Sequence, residues 1–366
     1  MIAAESCAAV AVQFGYRTIY NGSEVMGKNI DWKNLGFQYL QTEYYVKCEF
    51  KNRKWGDIQI CTDPHISLHI AATCLHYGQA CFEGLKAFGR RDETIAMFRP
   101  DQNAQRLIST ARRLVMEPPP QELFLSMATK LILLNKAYVP PYGTGASLYV
   151  RPFLIGTSPH IGVHASEEYA LIMLASPMGA YYKNGFYPVK AYIQEEYDRA
   201  APKGVGDVKA GGNYAAGMMG DLDGQKKGFP ICLYLDSATH LYIDEFGTSN
   251  FLAITRDGKY ATPDSSSVLP SVTNHSLQDI ARDFGLTVER RKIRVSELAD
   301  FAEAGACGTA VVITPVSSIL HGDRVYTFGK ENEAGATLMR LYNEITGIQY
   351  GEIEDRHGWM YRVDAA

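Results

Sequence analysis

The sequence predicts an α/β protein of two domains, a smaller N-terminal one over residues 1–182 and a larger one over 197–366. Three observations lead there. The chain has 366 residues, more than a single core of ordinary size serves, so two domains are the expectation. Hydrophobic residues make up 46% and charged residues 21%, the balance of a globular protein with apolar material for both cores. Short strand-like runs and amphipathic helical stretches then alternate on either side of a polar, glycine-containing junction, Lys183-Asn184-Gly185-Phe186, read as part of a linker over 183–196.

Charge and cysteine usage exclude several functions. The formal net charge is -4 and the two signs are interleaved, so no electrostatic footprint for nucleic acid or anionic lipid exists. The seven cysteines, Cys7, Cys48, Cys61, Cys74, Cys81, Cys232 and Cys307, are odd in number, scattered, and include no Cys-x-x-Cys pair. That argues against a disulfide scaffold or structural zinc and for a reducing compartment. Residues 1–7 carry Glu5 and no basic n-region, and no apolar run approaches the length of a membrane span. A cytoplasmic protein is expected.

Residues 1–30 form an extension with little pattern beyond a turn at Asn21-Gly22. From Phe37 to Phe50 aromatics and Val46 alternate with polar groups, the period of a strand, and a second strand follows around Asp57–Cys61. His65, His69 and His76 have spacings that can share a helical face. No acid-plus-His motif completes a metal site, so they are read as ordinary polar residues of a loop and short helix. Tyr77–Phe88 is aromatic and glycine-rich and leads into a hairpin through Arg90–Glu93. Phe98-Arg99-Pro100-Asp101 opens a helix, with Pro100 and Asp101 suited to its first turn. Leu107, Ala111 and Leu114 form its stripe. Arg106 sits beside that stripe, and a surface salt bridge is as consistent with its spacing as a ligand role. Pro118-Pro119-Pro120 ends this helix and Gln121–Asn135 forms the next. In the strand Ser147–Ile155, Tyr149 and Arg151 share a face opposite Leu148 and Val150. They are either anchors of a cleft or the strand's wet side. Glu168–Ala175 is another strand.

Beyond the junction, Val189–Ile193 reads as a strand, followed by Gly206-Asp207-Val208-Lys209-Ala210-Gly211-Gly212-Asn213-Tyr214. No second cation lies within five positions of Lys209, and glycines leave bare backbone that a ligand can approach. Lys209 is therefore the candidate covalent amine, one that forms a Schiff base with a carbonyl; a solvated turn lysine is the plain alternative. Phosphate-loop readings fail, because a Gly-x-Gly-x-x-Gly begun at Gly204 meets Lys209 in place of its last glycine. A helix follows from Asn213 to Lys226. Ile231–Leu235 and Leu241–Glu245 read as antiparallel strands. Asn250–Thr255 turns through Asp257-Gly258 into Lys259–Ala261. Glu245 shares a face with Leu241 and Ile243 while Asp244 sits with Tyr242. A carboxylate on an apolar face needs a partner or carries a raised pKa, which puts Glu245 ahead of Asp244. Leu269–Thr273 introduces a helix with Leu277, Ile280, Ala281 and Phe284 on one face, closed by Gly285. Its start offers N–H groups and hydroxyls to an anion. Gly305–Ala310 is a second small-residue approach to a ligand, ahead of the strand Val311–Ile313. Glu333–Thr346 is the last helix.

Together these stretches resemble the branched-chain amino acid aminotransferases, pyridoxal phosphate enzymes of fold-type IV, from about Asp31 to Val363. The motifs that carry the resemblance are Leu75–Gln79 with Phe82–Lys86, Phe98-Arg99-Pro100, Tyr149–Pro152, Gly206–Tyr214, Glu245–Asn250 and Gly308-Thr309-Ala310. The resemblance implies a small α/β domain followed by a larger α/β pseudo-barrel domain, and pyridoxal 5'-phosphate as cofactor. It implies that Lys209 holds the cofactor and moves the substrate proton, that Glu245 pairs with the pyridine nitrogen, and that Tyr214 donates to the phenolate oxygen. Arg106, Val272, Thr273 and Thr309 match the phosphate contacts. Tyr77, Phe82, Tyr149 and Tyr181 match the aromatic lining of the substrate pocket. Arg151 matches an arginine that receives the distal carboxylate of glutamate, and Thr248 and Ala310 match residues near the substrate carboxylate. The implied reaction is reversible transamination of leucine, isoleucine or valine with 2-oxoglutarate in a homodimer with shared pockets. A D-amino acid aminotransferase or an aminodeoxychorismate lyase is the alternative within the fold type. One departure is plain. Vertebrate members carry a redox Cys-x-x-Cys where this chain has Val311 and Thr314, so thiol switching does not carry over.

Overall fold

Two sets of buried strands build two separate sheets, and a computed structural model describes residues 30–32, 34–179 and 186–363 of them. The first set comprises β1 (Tyr45–Lys51), β2 (Lys54–Trp55), β3 (Gln59–Cys61), β4 (Ala80–Phe82), β5 (Leu85–Gly89), β6 (Ile95–Phe98), β7 (Ser147–Gly156) and β8 (Tyr169–Met178). Burial in β1 alternates, with Val46, Cys48 and Phe50 turned inward, as expected of a strand with one covered face. The strand starts at Tyr45 rather than near Phe37. Side chains take the backbone ahead of it out of any ladder: Asn135 Oδ1 accepts from Tyr44 N, and Thr42 Oγ1 donates to Ala175 O.

Between these strands lie a one-turn helix, α1 (Thr73–His76), and two longer ones, α2 (Pro100–Arg113) and α3 (Gln121–Leu134). Pro100 occupies the first turn of α2, where its missing N–H costs nothing. Leu107 and Ala111 of α2 pack with Phe124, Met127 and Leu131 of α3 against Val46, Leu148, Val150 and Met173. Leu114, Leu123, Leu125 and Leu134 stay at the margin of that core.

The second set comprises β9 (Val189–Ile193), β10 (Ile231–Leu235), β11 (Ile243–Phe246), β12 (Asn250–Thr255), β13 (Tyr260–Pro263), β14 (Val288–Arg291), β15 (Phe301–Gly308), β16 (Val312–His321) and β17 (Arg324–Thr327). Its order is β11-β10-β9-β16-β15-β12-β13-β14, and β11 also pairs with β12, so the inner strands close into a barrel. Phe246, Phe251, Ala304, Ala306 and Val316 belong to its core. Gly305–Gly308 lies inside β15 rather than in a loop, because β12 and β16 pair with it on both sides. Ladder bonds on two flanks override the weak strand preference of glycine and alanine. The parallel pairs β9/β10 and β13/β14 need crossovers. These are α4 (Gly211–Lys226) and α5 (Val272–Asp283). Ser271 caps α5 by accepting from Asn274 N, and Gly285, at φ 79, ends it, matching the boundary signals read in the sequence.

The last helix, α6 (Ala336–Tyr350), packs on β16. The chain then returns to the first sheet. There β18 (Met360–Arg362) pairs with β6 and Val363 enters the first core. The ends of both sheets thus meet along one seam. Among the described residues no helix is long and apolar enough to cross a membrane, and no group of three or more His, Cys, Asp or Glu is placed to hold a metal ion.

Candidate active site

Lys209 sits on the seam, held from both sides. Its carbonyl accepts from Phe82 N, the neighbouring Ala210 bridges Cys81 of β4, and its own N–H donates to Thr110 Oγ1 of α2 at 3.1 Å. Asn213 Nδ2 donates to the carbonyls of Val205 and Val208 and so closes the turn. From this fixed backbone Nζ donates to Tyr214 Oη at 2.8 Å and lies 4.7 Å from the centroid of the Phe82 ring. Burial pushes the amine down to about 8, and the positive charges of Arg106 and Arg151 act the same way against the opposing carboxylates of Glu83 and Glu245. Burial and Glu245 keep the Tyr214 phenol well above its ordinary range. At neutral pH the phenol keeps its proton and a fraction of the lysine is free of its own.

Glu245, in β11, is 4% exposed. Its oxygens accept from Asn250 Nδ2 at 2.6 Å and Leu269 N at 3.1 Å and meet Arg199 Nη2 at 3.1 Å. Burial raises its carboxyl pKa while Arg199 pulls the other way. Asp244 is buried too, since every residue of β11 is covered. Face alternation therefore separated two carboxylates that the barrel encloses alike; they differ in that both oxygens of Glu245 are paired, whereas Asp244 Oδ1 is buried without a hydrogen-bond partner.

Arg106 is an ion pair, as its spacing allowed, though a buried one. Nε and Nη2 meet the two oxygens of Glu83 at 2.7 and 2.9 Å, and Nη1 donates to Pro270 O at 2.9 Å, immediately before α5. Glu83 is fully buried and also accepts from Asn103 Nδ2 and Gly84 N. Burial alone would raise its carboxyl, but Arg106 outweighs that and holds it below the ordinary carboxylate value. Val272 and Thr273, in the first turn of α5, are buried beside Thr309 of the β15–β16 turn. A cavity of about 20 Å³ between them, also lined by Lys86 and Asn103, has room for one water. Lys86 Nζ donates to Ala310 O at 2.7 Å, and burial lowers its pKa to about 8.

Tyr149 and Arg151 do face inward. Arg151 Nη2 donates to Tyr149 Oη at 3.1 Å, and its guanidinium lies 4.8 Å from the Phe82 ring centroid. Phe82 in turn meets the Tyr214 ring edge-on at 4.8 Å. That strand face is covered rather than wet, with Tyr149 8% exposed. Tyr77 is exposed, and its hydroxyl donates to Ile161 O without touching the Lys209 cluster. Thr248 is exposed at the bend after β11. Tyr181 lies outside the described residues.

Four side chains that sequence reasoning did not single out complete the arrangement: Glu83, Arg199, Lys86 and Asn250. Glu83 and Lys86 had a signal, the only two charged residues in the otherwise apolar run Ala80–Phe88. Arg199 had none, since its partner is set by the barrel's closure.

Comparison with known proteins points the same way. Residues 80–319 match the family described as amino-transferase class IV. A branched-chain-amino-acid aminotransferase of Haemophilus influenzae is 44% identical over 343 residues, covering 92% of this chain and 100% of its own. One from Helicobacter pylori is 43% identical over 338 residues, covering 92% of this chain and 98% of its own. The crystal structure of the Escherichia coli branched-chain amino acid aminotransferase matches with a TM-score of 0.72 at 26% identity, covering 88% of this chain and 99% of that one.

Proposed function

The chain belongs to the amino-transferase class IV family, and on that premise we propose how its residues carry out reversible transfer of the amino group of leucine, isoleucine or valine to 2-oxoglutarate. The observation that carries the reading is the Lys209 amine, buried, lowered to about 8 and 2.8 Å from a phenol that stays protonated. The cofactor is pyridoxal 5'-phosphate. The residues present fit it: one amine, one phenol, one buried acid, and a guanidinium beside a helix start that suits an anion. When bound, that group supplies the carbonyl that accepts nitrogen and the ring that stores electrons.

In this reading Lys209 holds the cofactor. Once freed by substrate, its neutral amine takes the proton from the substrate's Cα. Tyr214 offers its O–H to the phenolate oxygen beside it. Glu245, its carboxyl raised by burial, is the group for the ring nitrogen, and Arg199 and Asn250 fix its oxygens. Arg106, Val272, Thr273 and Thr309 receive the phosphate. Glu83 orients Arg106 by taking the Nε–Nη2 edge of the fork; Nη1 gives one N–H to Pro270 O and keeps its second for the anion. Phe82 and Tyr149 form the wall for a branched side chain. Arg151, lying on Phe82, swings off that ring to receive the distal carboxylate of glutamate. Thr248 and Ala310 stand by the substrate carboxylate.

Tyr77 and Tyr181 complete the lining in a homodimer. What supports the dimer is a patch of large apolar residues, with Ile70 88%, Leu75 58%, Ile161 80% and Val163 85% exposed. A second copy is the natural cover for such a surface, and Tyr77 is tied to it through Ile161. The linker expected over 183–196 is shorter in this reading: the two domains divide ahead of β9 (Val189–Ile193), which already pairs with β10 and β16, and β18 returns across the seam. A cytoplasmic location is supported by the free thiols, Cys48, Cys81, Cys232 and Cys307 among them. Titrating the purified protein with L-leucine tests the reaction: the cofactor's visible band converts to that of its amine form. No conversion with leucine, with D-alanine or aminodeoxychorismate reacting instead, overturns the reading.

A further inference from the structure

Two arginines, Arg106 within α2 and Arg99 at the position just before its first turn, reach across the seam to the N-terminal part of α5. Arg106 Nη1 donates to Pro270 O at 2.9 Å. Arg99, the residue that caps α2, donates from Nη1 to Ser276 Oγ at 2.8 Å. Ser276 is fully buried, and its hydroxyl donates onward to Val272 O at 2.9 Å. A serine has one proton to give, so the direction of the chain is set: Arg99 to Ser276 to the first-turn carbonyl of α5.

Arg99 is itself held at some cost. It adopts φ 46 and ψ 49, the left-handed region, which a side chain other than glycine or asparagine seldom occupies. Its N–H donates to Trp359 O at 2.8 Å, and its guanidinium stands 5.1 Å from the Trp359 ring centroid. Among the described residues no carboxylate lies within ion-pair distance of it; Asp101 and Asp279 act on it only through space. An interdomain rivet alone would not require a charge. A tyrosine or glutamine could make the same bond to Ser276 without desolvating a cation.

We propose that Arg99 is a positioning residue for the phosphate end of the site: through Ser276 it fixes the first turn of α5 against α2, so that Val272 and Thr273 face Arg106 at a set spacing, and it adds behind them a positive charge that no carboxylate contacts directly. The proposal rests on the reading that Arg106, Val272, Thr273 and Thr309 receive the phosphate.

The test compares pyridoxal 5'-phosphate with pyridoxal, which lacks the phosphate. Wild type, Ser276→Ala, Arg99→Met, Arg99→Lys and the Ser276→Ala/Arg99→Met double variant are prepared as holoenzymes. Cofactor release rates are measured by absorbance, together with re-binding of each of the two compounds. Arg99→Met and Ser276→Ala each weaken the phosphorylated compound by about tenfold, leave pyridoxal within about twofold, and combine to no more than the larger single effect, because both break one chain. Arg99→Lys recovers part of the loss by keeping the charge. Equal weakening of both compounds marks a merely structural role and overturns the proposal, as do effects that multiply in the double variant. A wild-type protein that binds both compounds equally would instead sink the phosphate reading, and the positioning role with it.

Discussion

Lys209 Nζ and Tyr214 Oη stand 2.8 Å apart across the turn that begins α4. The lysine is fastened to the first sheet through Phe82 N and to α2 through Thr110, whereas the tyrosine belongs to the helix that connects β9 and β10 of the second sheet. In the proposed mechanism, removing the amine removes both the anchor and the proton carrier. Lys209→Ala is expected to lower kcat by about 10²–10⁴-fold and to abolish fixation of cofactor by borohydride. Tyr214→Phe keeps the ring against Phe82 and removes one hydrogen bond to a charged group, for an expected loss of about ten- to a hundredfold. Steady-state rates beside borohydride trapping and mass spectrometry check both, and full activity in Lys209→Ala would refute the mechanism.

The pH response follows from the direction of two shifts. Lys209 accepts a proton only when neutral, and its pKa lies near 8 instead of 10.5. The proton-transfer rate is therefore expected to fall about tenfold per unit below pH 8 and to level off above it. Lys86 is lowered in the same way, to about 8. The unfolded chain binds that proton up to its ordinary 10.5, so between about pH 8 and 10.5 the unfolded state carries more protons and stability rises with pH; the penalty is complete below 8. Urea unfolding midpoints of wild type should climb across that window more than those of Lys86→Met.

Glu83 and Gly84 shape the site without touching the reaction. Glu83→Gln keeps the volume but sets an amide against the fork of Arg106 and leaves a buried charge without a counter-ion. Breaking such a pair costs about 3–5 kcal/mol, and in a chain of 366 residues that is a melting-temperature loss of roughly 4–7 °C. At Gly84 an added Cβ would lie 2.8 Å from Tyr149 Cζ and still closer to its hydroxyl. Gly84→Ala must then push Tyr149, and Arg151 bonded to it, off their positions, at about 1–3 kcal/mol. Calorimetry is expected to show the large shift for Glu83→Gln, and kinetics a raised KM for leucine in Gly84→Ala.

Much of this arrangement was legible in one dimension, and the remainder was hidden for physical reasons. Lys209 stood out because glycines and the absence of other cations are local facts. The bounds of α2 and α5 were written in Pro100, Ser271 and Gly285, residues whose backbone preferences act within a turn. Arg106 was ambiguous because its partner Glu83 lies on another element. Asp244 and Glu245 were divided by a face rule that presumes one wet side, which a strand of a closed barrel lacks. The early start assigned to the first strand failed similarly, since Thr42 and Asn135 capture backbone groups that alternation alone would put in a ladder. Long-range partners set all of these, and no local pattern encodes them.

The exposed surface around Ile161 yields the last prediction. Tyr77, matched to the substrate pocket, donates its hydroxyl to Ile161 O rather than to any group of the Lys209 cluster. Ile161 and Val163 present 80% and 85% of their surface to solvent, which is unusual for side chains of that size so close together. A two-fold pairing puts the same patch of each copy against the other, covering both side chains and delivering Tyr77 to the neighbouring pocket. Sedimentation equilibrium is expected to give twice the chain mass of 40.6 kDa. Val163→Asp puts a charge into that contact and is expected to give monomers with little activity and an unaltered absorption spectrum of bound cofactor. A fully active monomer would mean that the pocket is complete within one chain and that Tyr77 has no part in it.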